Sequence, residues 1–352
     1  MNSIAVYSGE TVLYWSAIII TLGIAAGFFL SYGIHLSHGG SAAAMWVFLP
    51  VSVIVSVFLC RLIHWYCHLE QYAGFFAAMT DFSVGSYCLP GMIFGVIIAA
   101  GLVKRLRLVK SRAELLDSAA PGMALTVMFI RLSALFDSSC RSKIIINNPA
   151  LQHLPLASQI SSASGSAEYR FATFFVEAIV MLVITILLLN FCFKRRDMPM
   201  KGGEPSEGHA ARLLLVLYGA AELVLDSTRY DSSFFHFTFL KKLNPYAGFI
   251  SLIQLIAAIS ILCVLVHYTK PSIRSNGLKL KHVLLWLVFL LSLAAVGVSE
   301  YMVQRHGDWY LGCYAAMTAG CVLMAFTVWR MYVSCSGKDE YDDFYEYEYG
   351  TK

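Results

Sequence analysis

Glu222, Asp226 and Arg229 fall in the stretch LYGAAELVLDSTRYDSSFF, residues 217–235, which otherwise begins as an apolar helix should. Their spacing is i, i+4, i+7, so at 3.6 residues per turn they share one helical face. Three more ionisable residues stand in equally apolar surroundings: Arg61 in VFLCRLIHWYC, Arg131 in MALTVMFIRLSALFDSS and Glu177 in FFVEAIVMLVI. A charge facing lipid is costly, so such groups pair with one another or face a polar cavity. Any one of them alone is explained most simply by snorkelling or by a structural ion pair. Six of them, mostly near the outer ends of four helices, favour an outward-opening polar cavity.

Other chemistry is thinly represented. His35 and His38 in HLSHGG, and His64 and His68 in RLIHWYCHLE, have helical spacings for a metal pair. Neither pair has the nearby carboxylate of the HExxH pattern, so no metal is expected. There is no P-loop, no Rossmann glycine pattern and no GxSxG elbow, and no cofactor is implied. The nine cysteines show no CxxC or Cys/His ligand spacing, and most sit in apolar segments as small core residues. Cys67, Cys88 and Cys140 are the three able to reach the outer face.

Positioning these groups requires helices in a membrane. Apolar residues make up 58% of the 352 and charged residues 14%, against about 45–50% and about 25% in soluble domains. The chain reads as an all-α polytopic membrane protein. Apolar runs long enough to span lie near 12–34, 44–66, 88–103, 115–136, 168–193, 210–226, 246–268, 282–301 and 309–332. The first has no Lys or Arg before it, so it lacks the basic n-region of a signal peptide and is expected to stay in the mature chain, its N-terminus outside. Threading nine spans from there places 104–112, 194–201, 270–281 and the C-terminus inside, with 17 of the 26 Lys and Arg residues on that side. The net charge of +4 follows from this topology and implies no nucleic-acid partner. The outward stretch 137–167, polar and rich in Pro and Ser, reads as irregular. The tail 336–352 alternates acids with aromatics and reads as a disordered solvated end.

The stretch LYGAAELVLDSTRYD resembles the signature of bacterial prolipoprotein diacylglyceryl transferases, Tyr-Gly-x-x-Arg-x-x-x-Glu-x-x-Arg-x-Asp. Tyr218, Gly219, Arg229 and Asp231 match it, Asp226 replaces Glu, and Glu222 stands where the family has Arg. Other segments agree in order and spacing. FLCRLIHWYC is similar to a Gly-Ala-Arg-Leu-x-Tyr run through Arg61. SYCLPGMIFGVIIA resembles Ser-Phe-His-Gly-Gly-Leu and is followed by a basic loop, Asp117 and Pro121. FIRLSALFDSSCRSK resembles a Gly-Arg-x-Gly-Asn/Cys-Phe signature through Arg131, with Phe136, Cys140 and Lys143 fitting a Cys-rich form. Glu177 fits a Pro-x-Gln-Leu-x-Glu motif, and YWSAII resembles Tyr-Trp-Tyr-Gly.

The resemblance implies a seven-helix transferase-like core over 1–268, two additional helices within 269–335, and residence in the bacterial cytoplasmic (inner) membrane. It also implies an activity: transfer of a diacylglyceryl group from phosphatidylglycerol to the lipobox cysteine of a preprolipoprotein, releasing glycerol phosphate. Arg131, Arg229 and Arg61 would then hold a lipid head group, phosphatidylglycerol or another, with Glu177, Tyr218, Glu222, Asp226 and Asp231 lining the pocket. The departures bear on the chemistry. Leu89 stands where the family has His, Ser16 for the second Tyr, Ala134 for Asn or Cys, and Phe174 for Gln. A lipobox thiol with pKa near 8.5 benefits from a base, and Leu89 cannot be one; Asp137, His64 and His68 are the outward candidates. Two readings stand side by side: a divergent transferase with rearranged catalytic groups, and a catalytically silent paralogue that binds a lipid head group or a lipoprotein signal segment. A solute transporter ranks below both, because no Gly/Pro-broken helix pair sits at the midplane.

Overall fold

The structure, a computed structural model, describes residues 4–8, 11–67, 69, 72–80, 88–136, 142–161, 167–195, 207–229, 250–305 and 310–335. Its long helices are α1 (Trp15–Ser37), α2 (Ala42–Cys67), α4 (Pro90–Arg105), α5 (Arg112–Ser133), α7 (Thr173–Arg195), α8 (His209–Thr228), α9 (Leu252–Asn276), α10 (Leu280–Arg305) and α11 (Tyr310–Cys335). Two short ones, α3 (Phe75–Thr80) and α6 (Pro149–Gln152), lie in connections. Seven of the long helices are apolar and long enough to cross a membrane. The other two are α4 and α8. The first has only 16 residues, and the second carries Arg212, Glu222 and Asp226 within its 20. A physical reason for the polarity of α8 is its surroundings: it packs against α5, α7, α9 and α11, so its faces meet protein rather than lipid.

Small residues set the closest helix pairs. α1 packs on α5 where Gly27 and Gly122 meet backbone to backbone; a Cβ on Gly122 would lie 2.1 Å from the Gly27 carbonyl oxygen. α2 packs on α4 in the same way, Gly91 lying against the Cys60 backbone. Close backbone approach replaces the hydrophobic driving force that lipid does not supply. Two apolar cores result: one between α1, α2, α4 and α5, and a larger one through α5, α7, α8, α9, α10 and α11. The C-terminal pair α10 and α11 thus shares its packing with α8 and α9, and α9 continues through residue 268 to Asn276 without a break.

Helix ends fix the heights of the elements. The Asp117 carboxylate, fully buried in α5, accepts from Gly208 N at 2.5 Å and Ala211 N at 2.9 Å. It therefore caps the N-terminus of α8 from a neighbouring helix, where free N–H groups and the helix dipole favour an anion. α9 opens with a capping box of Ser251 and Gln254, and Gln254 Nε2 also donates to Leu223 O of α8 at 3.2 Å.

At the opposite end of the bundle two hairpins form. β1 (Ile4–Ser8) pairs antiparallel with β2 (Thr11–Tyr14), and β3 (Ala157–Ser161) with β4 (Ala167–Phe171). The stretch 137–167, expected to be irregular, therefore holds β3 and the first residue of β4, and α7 begins at Thr173 after β4, not at 168. Residues 142–146 join the hairpin to α8: Ser142 bridges to Arg229, Ile145 to Arg170, and Lys143 N donates to Thr228 O at 3.0 Å.

Candidate functional site

Arg131 lies in the last turn of α5, Glu177 in the second turn of α7, and Glu222 and Asp226 one turn apart near the end of α8. Packing of α5, α7 and α8 on one another brings the four together. Arg131 is 4% exposed, Glu177 2%, Glu222 3% and Asp226 0%, so pairing rather than solvation must stabilise their charges. The guanidinium of Arg131 does this for two carboxylates at once. Its Nε lies 2.8 Å from Glu177 Oε2, and its Nη2 donates to Glu222 Oε1 at 2.9 Å. Arg229, the C-cap of α8, places Nη1 3.7 Å from Asp226 Oδ1. The described cluster thus sets two arginines against three carboxylates. Tyr218, one turn before Glu222, is buried and lies against that carboxylate.

The other candidates divide. Arg61, 3% exposed, donates from Nη2 to Ala78 O in α3. His64, at the end of α2, meets the Tyr72 ring edge-on at 6.1 Å between centroids. His68, Asp137, Asp231 and Cys140 lie outside the described residues. The eight described cysteines are free thiols. Among the described residues no group of three His, Cys, Asp or Glu side chains stands in a metal-holding arrangement.

Ala134 and Phe174 are 2% and 3% exposed and lie together in one small apolar cluster with Ala172 and Phe175. Leu89, at the start of α4, packs on the larger core and borders two apolar cavities, of about 280 and 490 Å³. Tyr218 is the one member of the cluster that reaches either cavity. The charged groups themselves are enclosed.

A second polar thread is visible only in three dimensions. Lys143 Nζ donates to Gln304 Oε1 at 2.8 Å, and Gln304 Nε2 donates to Glu300 Oε1 at 2.7 Å. Glu300 and Gln304 belong to α10, and Glu300 is 3% exposed. Burial lowers the Lys143 pKa below its ordinary value, an effect that the carboxylates of Glu300 and Asp226 partly offset. Tyr314 of α11 donates to Ser227 O at 3.4 Å. The additional helices therefore supply side chains beside the charged end of α8.

The fold is that of a multi-pass helical membrane protein with a cluster of buried ionisable side chains towards the end of the bundle that carries the β3–β4 hairpin. Comparison with known proteins narrows this. The sequence model of the prolipoprotein diacylglyceryl transferase family matches residues 3–268, so the chain belongs to that family. No curated protein matches it. Membership implies lipid and lipoprotein substrates in a bacterial membrane.

Proposed function

We propose that this chain keeps the lipid- and lipoprotein-binding task of its family while its transfer chemistry is held off. The observation that carries this reading is the double engagement of Arg131. Bidentate guanidinium suits a phosphate best, and transfer from phosphatidylglycerol leaves charge on the departing glycerol phosphate that a cation must meet. Here Arg131 is ion-paired with both Glu177 and Glu222, and its Nη2 donates to Glu222. Glu222 is an anion where the family's signature has a cation. Leu89 offers no proton acceptor, and Ala134 with Phe174 makes dry contact where polar groups are expected. The head group recognised is that of phosphatidylglycerol or another phospholipid, met by Arg229, which bridges to Ser142, and the second ligand is a lipoprotein signal segment.

A second reading is favoured by the retention of Arg131, Arg229, Tyr218 and Gly219: an active transferase with a relocated base, for which Asp137, His64 and His68 are the candidates. In that case the thiol sulfur would form a bond to the glyceryl carbon as the bond from that carbon to the phosphate oxygen breaks. The thiol proton would pass to the base. Depletion of a bacterium's own diacylglyceryl transferase separates the readings. Expression of this chain is expected to give weak rescue or none. Rescue with normal lipoprotein levels would establish the active reading, and loss of rescue on changing Asp137, His64 or His68 would locate the base.

A further inference from the structure

The largest of the three described cavities, about 570 Å³, lies far from Arg131, between α7, α8, α9 and α11. Its walls are aliphatic and aromatic, including Leu213, Leu217, Val264, Val322 and Phe326. Cations line it at the end of the bundle that carries the basic loops: Lys194 in the last turn of α7, and Arg212 in the first turn of α8. About ten residues of α8, or roughly 15 Å, separate this end from Glu222.

Arg212 has no carboxylate within ion-pair distance among the described residues. Its Nη1 donates to Glu207 O at 3.1 Å and lies 3.2 Å from His209 Nδ1, and its guanidinium sits 5.8 Å from the Tyr268 ring centroid. Arginine can only donate, so His209 Nδ1 is an acceptor, both for Arg212 and for the Tyr268 hydroxyl at 2.9 Å. The proton of the neutral ring is then on Nε2. His209 is 2% exposed and lines the cavity, and its Nε2 has no hydrogen-bond partner among the described residues. That nitrogen is covered by protein, so the cavity's charged groups open to a ligand are Arg212 and Lys194.

We propose that this cavity binds an anionic phospholipid, with its phosphate at Arg212 and Lys194 and an acyl chain along the apolar wall. The volume falls in the range of ligand pockets, which are mostly apolar with a few placed polar groups. A free phosphate would use the cations but leave the apolar wall empty. α11, which supplies Val322 and Phe326, lies beyond the residues that match the family, so the site is walled in part by residues outside that match. It does not depend on whether the Arg131 cluster is catalytic.

The test uses the full-length protein in nanodiscs containing phosphatidylglycerol with a diazirine at the end of one acyl chain. Matched discs carry the same chain on phosphatidylcholine, and adducts are mapped by peptide mass spectrometry. Peptides covering 213–217 and 322–326 are expected to be labelled about tenfold more by the anionic lipid, as charge-assisted hydrogen bonds require. Lys194 is exposed, so Lys194→Gln should fold normally and lower that labelling about fivefold. Leu217→Trp, which fills the wall, should lower it without changing adducts elsewhere. Equal labelling by the two lipids, or wild-type labelling of Lys194→Gln, would overturn the proposal and mark the contact as annular lipid only. Displacement of the label by inorganic phosphate alone would also overturn it, in favour of a free phosphate.

Discussion

Arg131 decides what the charged cluster can do, because a guanidinium has five donors and no acceptor and cannot be neutralised by losing a proton. Enclosed at 4% exposure, it is stable only while carboxylates or a phosphate meet those donors. Removing one partner of a buried pair leaves an uncompensated charge and typically costs about 3–5 kcal/mol, whereas exchanging both charges preserves the pairing. Glu222→Arg alone and Arg131→Glu alone should therefore each lower the amount of folded protein in the membrane. The double exchange should recover part of the loss, with a non-additive term measured by a double-mutant cycle. Simple additivity of two silent changes would show that the two residues do not act as a pair. This contact was legible in the sequence, since Arg131 and Glu222 stand in the two signature-bearing helices. The Asp117 cap on α8 and the Lys143–Gln304–Glu300 thread were not. Each depends on residues far apart in sequence, 161 positions for Lys143 and Gln304, and neither leaves a local pattern.

At the scale of elements, the long apolar runs announced their helices because a membrane enforces a length of about 20 residues. α8 was found through the same logic, although its charges are tolerated only because four helices surround it. The strands were missed. β3 and β4 have five residues each and lie in a Pro- and Ser-rich stretch, where two-residue periodicity is too short to stand out. Helix pairing was also illegible, because Gly27 and Gly122 identify themselves as partners only once α1 and α5 touch. Their contact yields a direct expectation. Gly122→Ala places a Cβ against the Gly27 carbonyl, and overpacking of this kind costs about 1–3 kcal/mol. The thermal midpoint of the purified protein should fall for Gly122→Ala and hold or rise for Gly101→Ala, whose added Cβ meets nothing within 4 Å and whose helix gains from alanine. Equal midpoints for the two variants would show that α1 and α5 do not approach so closely.

For the whole molecule, the positive-inside distribution predicts nine spans with the N-terminus outside and the C-terminus inside. Reporter fusions at residue 200 and at the C-terminus should both signal cytoplasm; a C-terminus reporting from the outer face would mean that α10 and α11 do not both cross. The two extra helices share the larger core with α8 and α9 and place Gln304 against Lys143, so they bear on the charged end as well as on the lipid cavity. The chain matches its family over residues 3–268, and the proposed function turns on the pairing of Arg131. The most direct measurement is of transfer itself, with the purified chain in nanodiscs of phosphatidylglycerol, a lipobox signal peptide as acceptor, and mass spectrometry of the peptide. The account predicts no diacylglyceryl thioether above the level given by Arg131→Gln. Turnover by the wild type that Arg131→Gln abolishes, with both proteins folded, would contradict it.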